Sequence, residues 1–498
     1  MSKIIEDFIH EHPEIAKEKR GFPNLGKRKD GKLYSEAARK IEEAWDFYDC
    51  ELYKIENNNK IVNLGNGNPL NYKPFKESIK SLRKKLKTNM YEYGAAAGDE
   101  SDREQIAQYL IKEGFKRTLT YKNVIVTDST TAAFSIIIKT LFKENDVILM
   151  TAPNYGLFTF MPERDNFCVE LVELREEDNY LVNPKILEKR INDINLKLKR
   201  KYKKSSYIPR VKAFFNSNPH NPMGTVLNSK NIKLLEDIGK VCVKNDIFII
   251  DDLIYRDLTY DQKDLAKPIG TIDKYFDNTI SLFGLSKSYG LAKARSGFVV
   301  ANDALIRAFR DQIFYLMDST SSLQTSLLAG AYNASRKRYK EYNKYFNRLI
   351  PQYIFNRDIC IALIEGIETL KGEKNYNKIK RLLKKSLNKE DFNNIKNGID
   401  GFKLVIKPES GFFMLIDFSE LSRYKEFEKE KNMLELLYKK CSMKFLVGQS
   451  FSWPNDNQKI FRISYSLNYK TLIDCFNKIN KVIREVKYET DRNNNTCK

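Results

Sequence analysis

The residues with the most chemistry in them lie between Ser281 and Val300. An apolar run reaches Leu285, Lys287 follows at its end, Gly290 bends the chain, and Arg295-Ser296-Gly297 leads into a second apolar run. An ammonium at the end of a buried strand is expensive, and such a group usually lowers its pKa instead. That placement suits an amine nucleophile that condenses with a carbonyl to form a Schiff base. The planar fork of an arginine close by suits a phosphate. An aldehyde-capturing lysine beside a phosphate ligand points to pyridoxal phosphate. The competing reading is a surface loop that happens to carry one lysine and one arginine.

Five further stretches fall at predicted strand ends. Thr127–Thr131 joins a strand to a helix, where hydroxyls and free amides make an anion cup or an ordinary N-cap. Pro153-Asn154-Tyr155-Gly156 places an aromatic ring after another strand, as ring partner or as core. Asn218-Pro219-His220-Asn221-Pro222-Met223-Gly224 is a double Asn-Pro turn; turn chemistry explains its prolines and glycine but not its two amides. Ile249–Tyr255 ends an apolar strand in Asp251 and Asp252, and a buried carboxylate needs a partner such as a protonated pyridine nitrogen. Phe461-Arg462-Ile463 buries an arginine within a strand, where it needs an anion and a carboxylate fits bidentately.

For these side chains to meet, the strand ends that carry them must lie side by side. From Asn123 onward short β-branched runs (124–126, 147–150, 211–215, 247–250, 279–282, 297–300) alternate with helical patterns such as 131–142. That alternation predicts an α/β fold with a mostly parallel sheet flanked by helices, whose ligand site gathers at the strand carboxyl ends. The expected organisation is a helical arm over 1–60, strongest at Glu36–Tyr53, a large domain over 61–325 and a smaller α/β domain over 326–498. A helix is expected from near Asp99 through Gly114. Residues 304–370 read as helix leaving the sheet, 371–401 as a polar insertion of charged helices or loop, and 402–418 and 460–465 as strands of the smaller domain. The tail from Asp491 is expected to fray.

Bulk properties narrow the class. A chain of 498 residues with 42% hydrophobic and 30% charged residues can bury a large core and is not disordered by composition. No run approaches the roughly 18 apolar residues of a membrane span, and the first residues lack a signal-peptide core. The seven cysteines are scattered without CxxC spacing and read as reduced thiols of a cytoplasmic protein. Three histidines make a His-built metal centre an unpromising reading, and no metal is expected. The net charge of +21 raises the question of nucleic acid, but the basic residues are dispersed and accompany no recognition motif. A lysine-biased solvated surface is the preferred explanation. Acidic small molecules would also be drawn to such a field.

In combination these stretches resemble the fold-type I pyridoxal phosphate enzymes of the class I/II aminotransferase family, over roughly residues 60–485. SKSYGLAKARSG (286–297) is similar to the family's S-K-x-x-G-x-x-x-x-R-x-G signature, NPHNPMG to its Asn-Pro-x-Asn-Pro-x-Gly turn, and DDLIY to its Asp-x-x-Tyr strand end. FRISYS is similar to its carboxylate-binding arginine strand and PESGFFMLIDF (408–418) to its small-domain strand. Tyr93 matches a tyrosine that crosses to a neighbouring subunit, and Gly67 a glycine near the substrate carboxylate.

The resemblance implies that Lys287 forms the Schiff base and then moves the Cα proton. It implies that Asp252 keeps the pyridine nitrogen protonated and that Asn221 and Tyr255 bond the ring hydroxyl. Tyr155 would stack on the ring. Thr130, Thr131, Ser286 and Arg295 would hold the phosphate with Tyr93 of a homodimer partner, and Arg462 would clamp the substrate α-carboxylate. The implied activity is transfer of an α-amino group from an amino acid to a 2-oxo acid. Elimination, 1-aminocyclopropane-1-carboxylate synthase-like cyclisation or oxidation on the same scaffold is the runner-up, and a non-catalytic cofactor-sensing or nucleic-acid-binding module the remote alternative. Three departures stand out: Gly284 where many members place a serine, Lys293 where glycine is usual, and Asp128-Ser129 for a common Gly-Gly.

Overall fold

The β-branched runs become strands in the computed structural model, which describes residues 3–11, 25–26, 28–56, 59–88 and 90–496. In chain order these are β1 (Val62–Asn63), β2 (Val124–Thr127), β3 (Val147–Ala152), β4 (Cys168–Glu173), β5 (Val211–Ser217), β6 (Phe248–Asp252), β7 (Thr279–Gly284), β8 (Gly297–Val300), β9 (Lys403–Leu404), β10 (Phe413–Asp417), β11 (Met443–Lys444), β12 (Leu446–Val447) and β13 (Ile460–Ser464).

Seven of them form one sheet in the order β2-β8-β7-β6-β5-β3-β4. β8 runs antiparallel to both neighbours and the other pairs are parallel, so the sheet is mostly parallel as the alternation predicts. Both faces are covered. Val124 and Val126 of β2 enter one apolar cluster while Ile125 enters another, and Val147/Leu149 against Ile148/Met150 repeat the split on β3. A period of two between two cores is why these strands read as continuous apolar runs.

A second sheet, β12-β13-β10-β9, is antiparallel, and β1 pairs in parallel with β11. Helices link the two sheets, the longest being Arg336–Glu365 and Tyr469–Thr496, which pack on one another.

Several expectations change in detail. Strands β5 and β6 run on to Ser217 and Asp252, so the polar residues at their ends are still in register, with Ser217 opposite Asp252. The helix expected over Glu36–Tyr53 is broken into an α-helix to Asp46, a π-turn at Phe47–Glu51 and a 3₁₀ turn at Leu52–Lys54. Of the two readings of the polar stretch 371–401, helices or loop, the structure takes helices, Tyr376–Ser386 and Lys389–Ile395, with Ile379 and Leu383 one turn apart burying on the first and Ile395 on the second. Asp391 then pairs with Lys481 at 2.9 Å, tying the insertion to the last helix. That last helix continues through Thr496 where a frayed tail is expected; once nucleated, each added residue gains a hydrogen bond without a new nucleus. His12 and the rest of 12–24 lie outside the described residues.

Candidate active site

A cavity of about 480 Å³ opens at the carboxyl ends of the parallel strands, within the range of small-molecule sites. Eleven of the twelve candidate residues line it: Gly67, Thr130, Thr131, Tyr155, Asn221, Asp252, Tyr255, Ser286, Lys287, Arg295 and Arg462. The twelfth, Tyr93, is 90% exposed and lies outside this cavity.

Lys287 follows β7, and its Nζ donates to the Gly67 carbonyl at 2.7 Å. Removal from water, then the like charges of Arg462 and Arg295, push its pKa down to about 8. Asp252 is the last residue of β6 and is buried. Its Oδ1 accepts the Ile254 amide at 3.2 Å, and burial pushes its pKa up to about 7. Its neighbour Asp251 points to the other face of the sheet, where it accepts from Asn216 Nδ2 at 2.8 Å and the Ile269 amide at 2.9 Å.

The double Asn-Pro turn is fixed from beneath. Asn218 Nδ2 donates to the Leu227 carbonyl at 2.8 Å, and its Oδ1 accepts the Leu227 amide at 2.9 Å. His220 is buried, pushed down by burial to a pKa of about 3, and bonded through Nε2 to Thr151 Oγ1 at 2.9 Å. A neutral imidazole accepting at Nδ1 from the Met223 amide (3.4 Å) explains why a histidine sits between the amides: it is a turn support.

The anion cup forms at the start of the helix Thr130–Leu141, capped by Ser129 in a φ of +122°. β8 passes close beneath: a Cβ on Gly297 would come within 3.0 Å of the Thr130 amide nitrogen, so only glycine fits there. Arg295, at φ +47°, reaches Ser286 Oγ at 3.4 Å. Thus hydroxyls, helix amides and a guanidinium converge, as an anion requires. Gly284 is also explained, because a Cβ there would meet Ile254 Cδ1 at 2.8 Å; the isoleucine occupies the room a serine would need. Lys293 is exposed at the cavity rim.

Arg462, on β13, forms the opposite wall. Its Nη2 donates to the Gly65 carbonyl at 3.0 Å, its Nη1 to Asn221 Oδ1 at 3.4 Å, and its guanidinium lies 4.0 Å from the Phe413 ring centre. Its buried Nε has no hydrogen-bond partner among the described residues, and burial pushes its pKa down to about 10. A buried cation without a carboxylate is a standing cost that an incoming anion removes. Tyr155 stands edge-on to Phe158 at 5.4 Å and is 39% exposed at the cavity mouth.

These observations fit pyridoxal phosphate: a deprotonatable amine, a buried carboxylate without a cation bonded to it, an anion cup and a spare guanidinium share one hollow. Sequence reasoning missed Phe413, Ser217 and Asn154, whose buried Nδ2 also lacks a partner among the described residues. The strand-end position of Ser217, opposite Asp252, was the available signal for one of them. No group of side chains with metal-ligand geometry occurs among the described residues.

The family model described as aminotransferase class I and II matches residues 59–474. A probable aspartate/prephenate aminotransferase of Aquifex aeolicus is 23% identical over 80% of this chain and 86% of its own length. Human kynurenine–oxoglutarate transaminase 3 is 23% identical over 66% of this chain and 70% of its own. Among solved structures, a double mutant of Thermus thermophilus aspartate aminotransferase superposes with a TM-score of 0.67 at 18% identity, covering 93% of this chain and all of that one. An aromatic aminotransferase from Pyrococcus horikoshii gives 0.66 at 20% identity, covering 88% of this chain and 99% of that one.

Proposed function

This chain belongs to the class I and II aminotransferase family, and we propose that the cavity around Lys287 is where it moves an α-amino group from an amino acid to a 2-oxo acid. As a member it is a pyridoxal phosphate-dependent aminotransferase. The observation that carries the assignment of the site is the convergence of Lys287, Asp252 and Arg462 on one hollow from three distant parts of the chain. Bound there, the cofactor supplies an aldehyde that takes up an amine and a ring that accepts the electron pair left when the Cα proton departs.

The chain's own residues do the rest. Lys287, with a pKa near 8, passes between amine and ammonium around neutral pH, so it can take a proton from Cα and return it. Asp252 offers a buried negative charge that holds a proton on a cationic ring nitrogen. Tyr255 and Asn221 supply hydrogen bonds at the ring's edge, and Tyr155 closes the mouth above it. Ser286, Thr130, Thr131, Arg295 and the helix amides bind the phosphate. Arg462 takes the α-carboxylate in its fork and so orients the Cα–H bond toward the lysine.

A homodimer is part of this proposal. Met90, Tyr91 and Tyr93 are exposed, as are Phe314–Met317, and the residues that follow the two stretches meet where Thr320 Oγ1 donates to the Ala96 carbonyl at 2.6 Å. A partner would cover that apolar patch and bring its Tyr93 to the phosphate cup. The proposed division is the arm, a large unit to about 325 and a small one beyond. The cytoplasmic placement rests on the free thiols Cys50, Cys168, Cys242, Cys360, Cys441 and Cys475. The lyase, cyclase and oxidase alternatives are not favoured by the family match.

The test is a panel of amino acids with a 2-oxo acid acceptor, scored for keto acid, ammonia and peroxide. Purified protein should carry a visible absorption band that reduction fixes to Lys287 by peptide mapping, and should release keto acid without ammonia. Colourless protein that takes up no cofactor would overturn the reading.

A further inference from the structure

The family match begins at residue 59, yet the arm ahead of it packs behind the wall of the cavity. The helix Glu36–Asp46 packs against Gly448–Phe451, and Ile41 lies 3.2 Å from where a Cβ of Gly156 would stand. At Phe47–Glu51 it widens into a π-turn, a rare form that concentrates at functional positions.

In that turn Tyr48 is buried, and its hydroxyl donates to Asn63 Oδ1 at 2.6 Å. The same oxygen accepts the Gly65 amide at 3.0 Å. The Gly65 carbonyl in turn accepts Arg462 Nη2 at 3.0 Å. The ammonium of Lys444 sits over the Tyr48 ring, 4.3 Å from its centre. Gly65 itself has no slack: a Cβ there would meet both Tyr48 Oη and Leu446 Cγ at 3.1 Å. A phenol of the arm, the side-chain amide of Asn63 on β1, the backbone of Gly65 from its N–H to its C=O, and the buried guanidinium therefore form one continuous chain of contacts.

We infer that Tyr48 is a positioning residue for Arg462, so that the arm outside the family-matched segment sets how tightly this enzyme holds the α-carboxylate of its substrate. The inference rests on the reading of Arg462 given above. A bidentate grip needs the plane of the fork to be fixed, and Gly65 is the nearest group holding it. The Gly65 amide also donates to the Lys444 carbonyl at 3.2 Å, so loss of Asn63 Oδ1 leaves that longer bond alone and loosens the Gly65 backbone, and a small misplacement of a clamp is costly for binding.

The experiment uses the full-length cofactor-loaded enzyme and two variants, Tyr48→Phe and Asn63→Ala. Each should raise KM for the amino acid, and the dissociation constant of maleate followed by thermal shift, by roughly tenfold. kcat and cofactor affinity should stay within about twofold, and slow turnover of an amine lacking the α-carboxylate should not change. In an Arg462→Gln background, Tyr48→Phe should add nothing, since it acts through the arginine. Equal losses with carboxylate-bearing and carboxylate-free amines, or wild-type maleate binding in both variants, would overturn the inference. Absence of transamination in the parent enzyme would instead count against the assigned function, so the two failures are told apart.

Discussion

The floor of the cavity and its far wall are built in opposite ways. On the floor, Asp252 ends one strand, and Asn221 and Lys287 follow closely on the strands to either side of it, so ladder hydrogen bonds set the spacing of the strand ends that carry them. The far wall is framed at the backbone, where Arg462 sits in β13 between β10 and β12, but the ladder does not position its guanidinium. The Arg462 guanidinium is held by the Gly65 carbonyl, 397 positions earlier in the chain, and the amide of that glycine is braced through Asn63 by a tyrosine earlier still. A site whose proposed reacting groups share a rigid sheet, while the guanidinium proposed to grip the carboxylate is aimed by long-range contacts, can keep its chemistry constant and let its substrate grip vary. It follows that floor substitutions should strike turnover, and wall substitutions should strike affinity.

The largest effect is expected at Lys287. Lys287→Ala should lower kcat by roughly 10⁴-fold or more, since amine and proton carrier are lost together. KM should barely move if the wall is independent of the floor. With the wild-type lysine, trapping of the cofactor aldehyde by cofactor-free protein should speed up as pH rises through about 8, where the ammonium gives way to the amine.

Asp252 gives the next effect, read in stability. Its folded-state pKa of about 7 lies above the ordinary 3.8, so between those values the folded protein keeps a proton that the unfolded chain has released. The cofactor-free protein should therefore lose stability as pH rises from about 4 to 7, on the order of a few kcal/mol. Asp252→Asn should remove about a third of that slope, because Asp251 and Glu430 are also raised to about 7. Urea unfolding at a series of pH values measures it; an unchanged slope in the variant would remove Asp252 from the account.

The same contrast decides what could be read in the sequence. The floor was legible because each of its residues stands at the end of an apolar run, where a buried charge is conspicuous: Asp252 after Ile249-Ile250, Lys287 after Leu285. Gly284 was legible only as a departure, since the Ile254 methyl that fills its space approaches from another strand end. Tyr48 was not legible at all. It sits in an amphipathic helical pattern where aromatics are ordinary core, and neither the π-turn nor its reach to Asn63 leaves a local signal. At 371–401 the sequence left helix and loop both open for a related reason: a few apolar residues among many lysines do not decide between them until a partner helix is there to bury them.

On the wall, Arg462→Met separates binding from folding. It should raise KM for the amino acid by roughly 10- to 100-fold, the worth of a charge-assisted bidentate pair. It should also make the ligand-free protein more stable by about 1 kcal/mol, because a buried cation with an unpartnered Nε is replaced by an apolar side chain. Loss of stability together with loss of affinity would mean that the arginine is a structural tie and not a waiting ligand.

The smallest effects come from two glycines that stand two positions apart and face different walls. A Cβ on Gly67 would meet nothing closer than Lys287 Nζ at 3.8 Å, an ordinary contact. Gly67→Ala should fold normally and shift kcat or KM only a few-fold, by crowding the approach to the amine. A Cβ on Gly65 meets Leu446 and the Tyr48 hydroxyl at 3.1 Å, and the first of these is tightly packed core that cannot step aside. Gly65→Ala should therefore push the arm outward and raise KM by roughly tenfold with kcat preserved. If the two alanines behave alike, the floor and the wall are one mechanical unit and the division drawn between them fails.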